Sequence, residues 1–324
     1  MLSLPAAAEI ISGPDAPRCD WQEPTYETRL GYITQRLLNP LLRRRTAAHL
    51  RLLQPDIAIC AMPALLDGRM LAGLKELNIP YAVIVHDAEA HPGDAWSFHA
   101  LGQRQALRGA RHLFCLTRHV EAALRRQGFG EAGQRLTKLW HPPLEFAQVP
   151  AATPMQRPHL LHFGRLLPYK GLDLLADALA LLGPARDFSL RICGEGPNSA
   201  ILARLAAMPD VTVENRWFND AELPGLLAWS SGLVLPYREA SQSGVAALAI
   251  AAGRQVLATN VGGLPEQLGA LPGALLCEPN AIAIAQGLQT FTARLRHAPP
   301  VAIAANAHDD WQAFAAAIAA SISS

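Results

Sequence analysis

Short runs of continuous apolar residues recur along this chain, each followed by a longer amphipathic stretch, and that alternation restricts the fold more than any other feature. The runs are "DIAICAM", "YAVIVHD", "HLFCLT", "HLLHFG", "SLRICG", "VTVEN", "SGLVLPY" and "QVLATN". A strand with one wet face alternates apolar and polar residues; runs this short and this unbroken suit strands covered on both faces, as in parallel sheets. Helical segments are expected at 66–77, 97–109, 118–128, 171–182, 198–207, 220–229, 244–252 and 281–295. Strands alternating with helices give doubly wound α/β layers.

The chain has 324 residues, more than one typical core, and half of them are hydrophobic. A stretch rich in Pro and Ala, "HPPLEFAQVPAATPMQRPHL", separates two strand-helix series. It places a linker near 145–158. Three parts are expected: a Rossmann-like domain at 1–150, a second Rossmann-like domain at 151–305, and a helix at 306–324 that packs back toward the N-terminal domain. Trp311 and Phe314 are its anchors, and the site is expected in the cleft between the two large domains.

Twenty-eight basic and twenty-seven acidic residues leave a net charge of +1, so a nucleic acid is not the expected partner. Cys19, Cys60, Cys115, Cys193 and Cys277 are scattered singly without a CxxC pair, which reads as reduced thiols rather than disulfides or a zinc site. No run of eighteen apolar residues predicts a membrane span, and the first residues lack the basic region of an export signal. The expected location is the cytoplasm.

Three places carry chemistry. In "LLHFGRLLPYKGLDLL" a strand ends in Gly164, Arg165 and Lys170 follow within six residues, and Gly171 opens a helix. Two cations beside a helix start at the carboxyl end of a parallel strand form a seat for a diphosphate; the alternative is two solvated surface residues. Next, "ICGEGP" sets Gly194 and Gly196 where the backbone can approach a ligand closely. It is neither GxGxxG nor a Walker loop, which disfavours a dinucleotide dehydrogenase or a P-loop ATPase. Third, Arg238, Glu239, Ser241, Gln242, Ser243, Gly244 and Val245 lead into a plain alanine-rich helix. Unpaired N–H groups at a helix mouth attract an anion, although a serine there is also an ordinary cap.

In order and spacing, "FGRLLPYKGLDLL", "ICGEGP", "DAELPGLLAWSSGLVLPY", "EASQSGV" and "AAGRQVLATNVGGLPE" resemble the donor domain of retaining glycosyltransferases of family 4, of the bacterial polysaccharide type, which have the GT-B fold. The first half resembles the family more loosely, through "PDIAICAMPA", "IPYAVIVHDAEAHPGD", "LFCLTRHVEAALRRQGF" and "WHPPLEF". The resemblance implies roles. Arg165 and Lys170 hold the diphosphate of a nucleotide-sugar donor, and Glu239 is the first acid of the family's E-x7-E motif, bound to hydroxyls of the transferred sugar. The backbone at Ser243, Gly244 and Val245 meets sugar and phosphate, and His86 contacts the donor sugar near the reacting centre. Ser241, Gln242, Gly164, Gly194 and Gly196 complete the donor-binding set, with Trp217 or Phe218 stacking on the base unless either belongs to the core. No cofactor and no essential metal are expected.

The second acid of that motif is replaced by Ala247, and the elements that normally open the family's first domain look trimmed. Loss of a charged hydrogen bond costs about 1.5–3 kcal/mol, which leaves the nucleotide open. His86, Asp87, Glu89, His91 and Asp94 all carry ligand atoms, yet their spacing fits no metal motif. Residues 37–53, "LLNPLLRRRTAAHLRLL", read two ways: a helix with a solvated arginine edge, or a basic amphipathic helix resting on anionic lipid at the inner face of a membrane. The expected activity is transfer of a sugar from a nucleotide donor to a glycan or lipid-linked glycan hydroxyl in polysaccharide or envelope synthesis. The competing readings are a nucleotide-sugar epimerase, a non-catalytic partner subunit and a phosphorylase-like degradative enzyme. The last would want a cofactor lysine that is not found.

Overall fold

The computed structural model describes residues 2–3, 21, 23–24, 29–62, 68–92, 103–143, 149–150, 155–269, 271–297 and 307–323. Cys19, Asp94, positions 66–67 and 97–102 of two expected helices and parts of the expected linker, 145–148 and 151–154, lie outside them. Two compact units emerge: Met1–Val85, Asp94–Phe114 and Leu124–Thr137 form one, and His86–Gly93, Cys115–Ala123 and Lys138–Ser324 form the other.

The first unit opens with a parallel pair of two-residue strands, Leu2–Ser3 and Glu23–Pro24. Helix α1 (Arg29–Leu53) follows. Strands β1 (Ala58–Cys60), β2 (Tyr81–Val85), β3 (His112–Cys115) and β4 (Arg135–Lys138) then lie side by side in that order. Helices α2 (Arg69–Glu76), α3 (Gln103–Gly109) and α4 (Arg118–Arg126) connect them. Every residue of β2 and β3 is buried, which is why those two strands read as unbroken apolar runs. Strand β4, "RLTK", is exposed or half-buried throughout and carries no such signal.

The second unit holds six parallel strands: β5 (His159–Phe163), β6 (Ser189–Gly194), β7 (Val211–Asn215), β8 (Gly232–Leu235), β9 (Gln255–Thr259) and β10 (Ala274–Cys277). Their order across the sheet is β10-β9-β8-β5-β6-β7. The chain therefore winds outward from β5 in one direction and returns to wind outward from β8 in the other. β5 and β8 are neighbours, Leu160 beside Gly232 and Leu161 beside Leu233, and the topology switches between them.

Helices α5 (Leu172–Leu182), α6 (Ala200–Ala206), α7 (Leu223–Trp229), α8 (Gly244–Ala251), α9 (Leu264–Leu268) and α10 (Ala281–Leu295) cover both faces. Leu160, Leu190, Ile192, Val234 and Leu257 pack with α5 and α10. Their strand neighbours Leu161, Cys193, Leu233, Leu235, Val256 and Ala258 pack with α7, α8 and α9. Two separate cores on one sheet demand apolar residues at consecutive positions, which is what the sequence supplies. The last helix, α11 (Ala307–Ser323), docks within the same unit: the Trp311 indole donates to the Pro143 carbonyl at 2.9 Å, and Phe314 meets Trp140 edge-on.

Candidate active site

Two loops leave the carboxyl ends of the adjacent strands β5 and β8, and most of the residues singled out in the sequence sit on them or in the first turn of α8; His86, Gly194, Gly196 and Trp217 lie at or after the ends of other strands. After β5, Gly164 turns the chain at a φ of 117°, and a side chain there would come within 3.3 Å of Val245, in the first turn of α8. The strand-end glycine thus brings the residues after β5 against the mouth of the helix after β8. Pro168–Lys170 form one 3₁₀ turn, and Gly171 ends it in the left-handed region at a φ of 67°. A Cβ at Gly171 would lie 1.9 Å from the Pro236 carbonyl oxygen, so only glycine lets the two loops close on each other. The Arg238 amide seals the junction by donating to the Tyr169 carbonyl at 2.8 Å.

Arg165 and Lys170 meet across Tyr169. The Arg165 guanidinium donates to the Tyr169 hydroxyl at 3.0 Å, and the Lys170 ammonium lies 5.0 Å from the centre of the same ring. Lys170 is only 8% exposed and sits 3.7 Å from the centre of the Tyr237 ring. Ring faces attract the cation but give it no counter-charge. Burial pushes the ammonium down to about 8, and the charge of Arg165 works in the same direction.

Ser243 caps α8, its hydroxyl accepting from the Ala246 amide at 3.2 Å. Gln267 clamps the same residue from both sides, accepting from the Ser243 amide and donating to its carbonyl. Gly244 is exposed at the helix start, with open space above it. The capping reading is realised, since the serine hydroxyl serves the Ala246 amide; the space beyond Gly244 is open. Ser241 is buried, its carbonyl accepting from the Thr117 hydroxyl at 2.9 Å.

Residues 86–93, which follow β2, belong to the second unit. His86 Nδ1 approaches Gln242 Nε2 at 3.5 Å, and the buried Gln242 Oε1 has no hydrogen-bond partner. His91 lies flat against Tyr169, ring centres 4.6 Å apart and planes 11° apart. Its Nε2 is 2.8 Å from Asp87 and its Nδ1 3.5 Å from Glu239. So Arg165, Lys170 and Glu239 are joined through Tyr169 and His91, and His86 meets Gln242, at the switch point of one sheet, where open α/β sheets hold their ligands.

Gly194 and Gly196 extend the same surface from β6. A Cβ at Gly194, whose φ is 148°, would sit 1.8 Å from the Gly164 carbonyl oxygen, and the Gly196 amide donates to the Asn215 side chain at 2.9 Å. These glycines pack loop against loop. Trp217 is 68% exposed, whereas Phe218 is core, packed edge-on against Phe163. Ala247 is 1% exposed inside α8. Among the described residues, no three His, Cys, Asp or Glu side chains gather as a metal site. Asp87 and His91 engage each other. Tyr169, Tyr237, His91 and Gln267 were not singled out as site residues from sequence; the tyrosine inside "PYKG", flanked by the two cations, was the available signal.

Comparisons with known proteins identify the family and the fold. The family described as glycosyl transferases group 1 matches residues 157–293, and the glycosyl transferase 4-like domain matches residues 6–140. A 2-deoxystreptamine glucosyltransferase of Streptomyces kanamyceticus is 31% identical over 124 residues, 37% of this chain and 32% of that protein. A GDP-mannose:glycolipid 4-beta-D-mannosyltransferase of Xanthomonas campestris pv. campestris is 34% identical over 111 residues, 31% of this chain and 29% of that protein. The matched region spans about a third of the length of these curated relatives. Among solved structures, sucrose-phosphate synthase from Thermosynechococcus elongatus superposes with a TM-score of 0.65 at 19% identity, covering 93% of this chain and 81% of that one. Anabaena HepE in complex with UDP and glucose gives 0.65 at 16%, covering 93% and 86%. With both halves matched in sequence and the fold shared, the chain belongs to the glycosyltransferases of group 1 with a family-4-like first domain, on the GT-B fold.

Proposed function

We propose that this protein is a retaining hexosyltransferase that moves a sugar from a nucleotide-sugar donor to a hydroxyl of a glycan or lipid-linked glycan in polysaccharide or cell-envelope synthesis. One observation carries the reading: a buried lysine and an arginine share the ring of Tyr169 beside the open mouth of α8. A diphosphate leaving group needs positive charge that is already in place as the bond to it breaks, and fixed charge in a dry site is the strongest contribution a protein makes.

In this reading Arg165, Lys170 and the α8 amides hold the donor's two phosphates. Glu239 accepts from sugar hydroxyls. The acceptor oxygen attacks the anomeric carbon from the face the diphosphate leaves. The anomeric C–O bond to phosphate breaks, a C–O bond to the acceptor forms, and the acceptor's proton passes to a phosphate oxygen of the departing nucleoside diphosphate. Every charge the step needs comes from side chains and backbone, so no metal or cofactor is proposed. Exposed Trp217 is the residue available to stack on a base. Retention rests on the motif positions alone, and NMR of the product's anomeric proton decides it.

The test is a panel of nucleotide sugars. A true donor at a hundred times its dissociation constant adds about 2.7 kcal/mol of stability, and that donor then transfers sugar to a glycan acceptor. Epimer formed without acceptor moves the assignment to an epimerase. Absence of binding by every nucleotide sugar, while a partner protein turns one over, moves it to a non-catalytic subunit.

A lipid-linked acceptor gives helix α1 a role at the inner face of the membrane. Leu30, Ile33, Leu37 and Leu41 follow helical spacing and are exposed, with exposed Arg44, Arg45 and Arg51 continuing the same face. The buried positions Thr46 and Leu50 lie opposite, with buried Ala47 to one side. An apolar stripe continued by arginines suits the boundary of an anionic bilayer. No helix among the described residues is long and apolar enough to cross a membrane. Sedimentation with vesicles containing anionic lipid is expected to pull the protein down, and Leu37→Glu with Leu41→Glu to release it. Equal sedimentation with neutral vesicles removes the basic contribution.

A further inference from the structure

His91 is a buried imidazole outside the set of donor-binding residues, with a carboxylate at each nitrogen. Its Nε2 lies 2.8 Å from Asp87 Oδ1. Its Nδ1 points toward Glu239 Oε1 at 3.5 Å, within ion-pair range but without hydrogen-bond geometry, and that nitrogen is buried with no other partner. The ring cannot turn away easily, because it is stacked flat on Tyr169 and bonded to Asp87. Glu239 is the looser partner, with its side chain one-third exposed.

We propose that His91, anchored by Asp87 and Tyr169, is a positioning residue that orients the Glu239 carboxylate toward a hydroxyl of the bound sugar. The proposal deepens the glycosyltransferase reading and rests on it for the role of Glu239, not for the contact itself. A neutral imidazole has one N–H. If that N–H faces Asp87, a lone pair faces Glu239 and repels it; the other tautomer repels Asp87. Only the doubly protonated ring satisfies both carboxylates.

The groups around the ring are Asp87 from its own loop, Glu239 from the loop after β8, and Tyr169 and Lys170 from the 3₁₀ turn. Burial disfavours the charged ring and Lys170 opposes it, yet the Asp87 hydrogen bond and the charges of Asp87 and Glu239 prevail, so His91 holds its second proton above the ordinary histidine range. Asp87 is held below the ordinary carboxylate range: burial, the largest influence, opposes this, and the bond and charge of His91, a Ser241 hydrogen bond and the charge of His86 together outweigh it. As pH rises through the His91 transition, Glu239 loses its partner and the grip on the sugar weakens.

The full-length protein tests this in two ways. In side-chain ¹⁵N NMR, His91 is expected to titrate above an ordinary histidine, and Glu239→Gln is expected to shift its midpoint downward; an unmoved midpoint overturns the coupling whatever the protein's activity. In kinetics, His91→Gln is expected to raise KM for the nucleotide sugar about tenfold and to flatten the alkaline limb of kcat/KM. The affinity for the free nucleoside diphosphate, which has no sugar, should stay within about twofold. Equal weakening of both ligands assigns His91 a merely structural role and overturns the proposal. If no nucleotide sugar is a substrate, the glycosyltransferase reading fails, and the NMR titration still decides whether His91 and Glu239 are coupled.

Discussion

Lys170 is the residue at which stability and function oppose each other. Its ammonium sits against two rings, and although the charge of Asp87 supports it, burial brings it from 10.5 down to about 8. The unfolded chain therefore holds more protons than the folded one between about pH 8 and 10.5, and the contribution of this group to stability rises with pH across that window. Below it, the charged lysine costs on the order of 3 kcal/mol. Lys170→Met is accordingly expected to melt several degrees higher than the parent at pH 7 without ligand. The same variant should bind nucleoside diphosphate about ten- to a hundredfold more weakly, from the loss of one charge-assisted contact. Calorimetry at pH 7 reads both effects. For the parent, diphosphate affinity should fall as pH rises above about 8, where the free lysine begins to lose its proton; a flat profile to pH 9.5 would show that Lys170 does not meet the ligand.

At the scale of elements, the loop after β5 depends on Gly171, whose left-handed backbone touches the Pro236 carbonyl. Gly171→Ala should cost more than about 2 kcal/mol, because it adds both backbone strain and a clash with main chain. Thermal melts check the size of the loss. Gly183, at the end of α5, also has a positive φ but open space around it, and Gly183→Ala is the milder control. The sequence made most of this legible. Runs buried on both faces, such as "AVIV" and "GLVL", have no polar residue to break them, and the glycines, cations and helix mouth follow in order along the chain. What stayed hidden had physical reasons. β4 is exposed and polar, and β10 is a half-buried four-residue strand behind "LPG". Helix α1 begins at Arg29, before the basic segment that drew notice, and carries leucines on its wet face. His91 stands among ligand-type residues whose spacing fits no metal motif, and its contacts with Tyr169 and Glu239, distant in sequence, cannot be read from spacing.

On the scale of the whole molecule, the second unit is not one continuous stretch: it takes in 86–93, 115–123 and everything from Lys138 onward. Its sheet is complete within residues 159–277, so a fragment 151–324 is expected to keep its helix and strand signature by circular dichroism. It should melt lower than the same unit in the full chain, since it lacks the ring stacked on Tyr169, the Thr117 bond to Ser241, and the Arg118 and Lys138 partners of Glu266. An unchanged melting temperature would show that the early segments add nothing to the unit. This interleaving also bears on recombination. A donor half transplanted at the proline-rich stretch carries its cations and helix mouth to a new host but leaves Asp87 and His91 behind, so hybrid enzymes should work only when the host's own strand-end loop supplies equivalents.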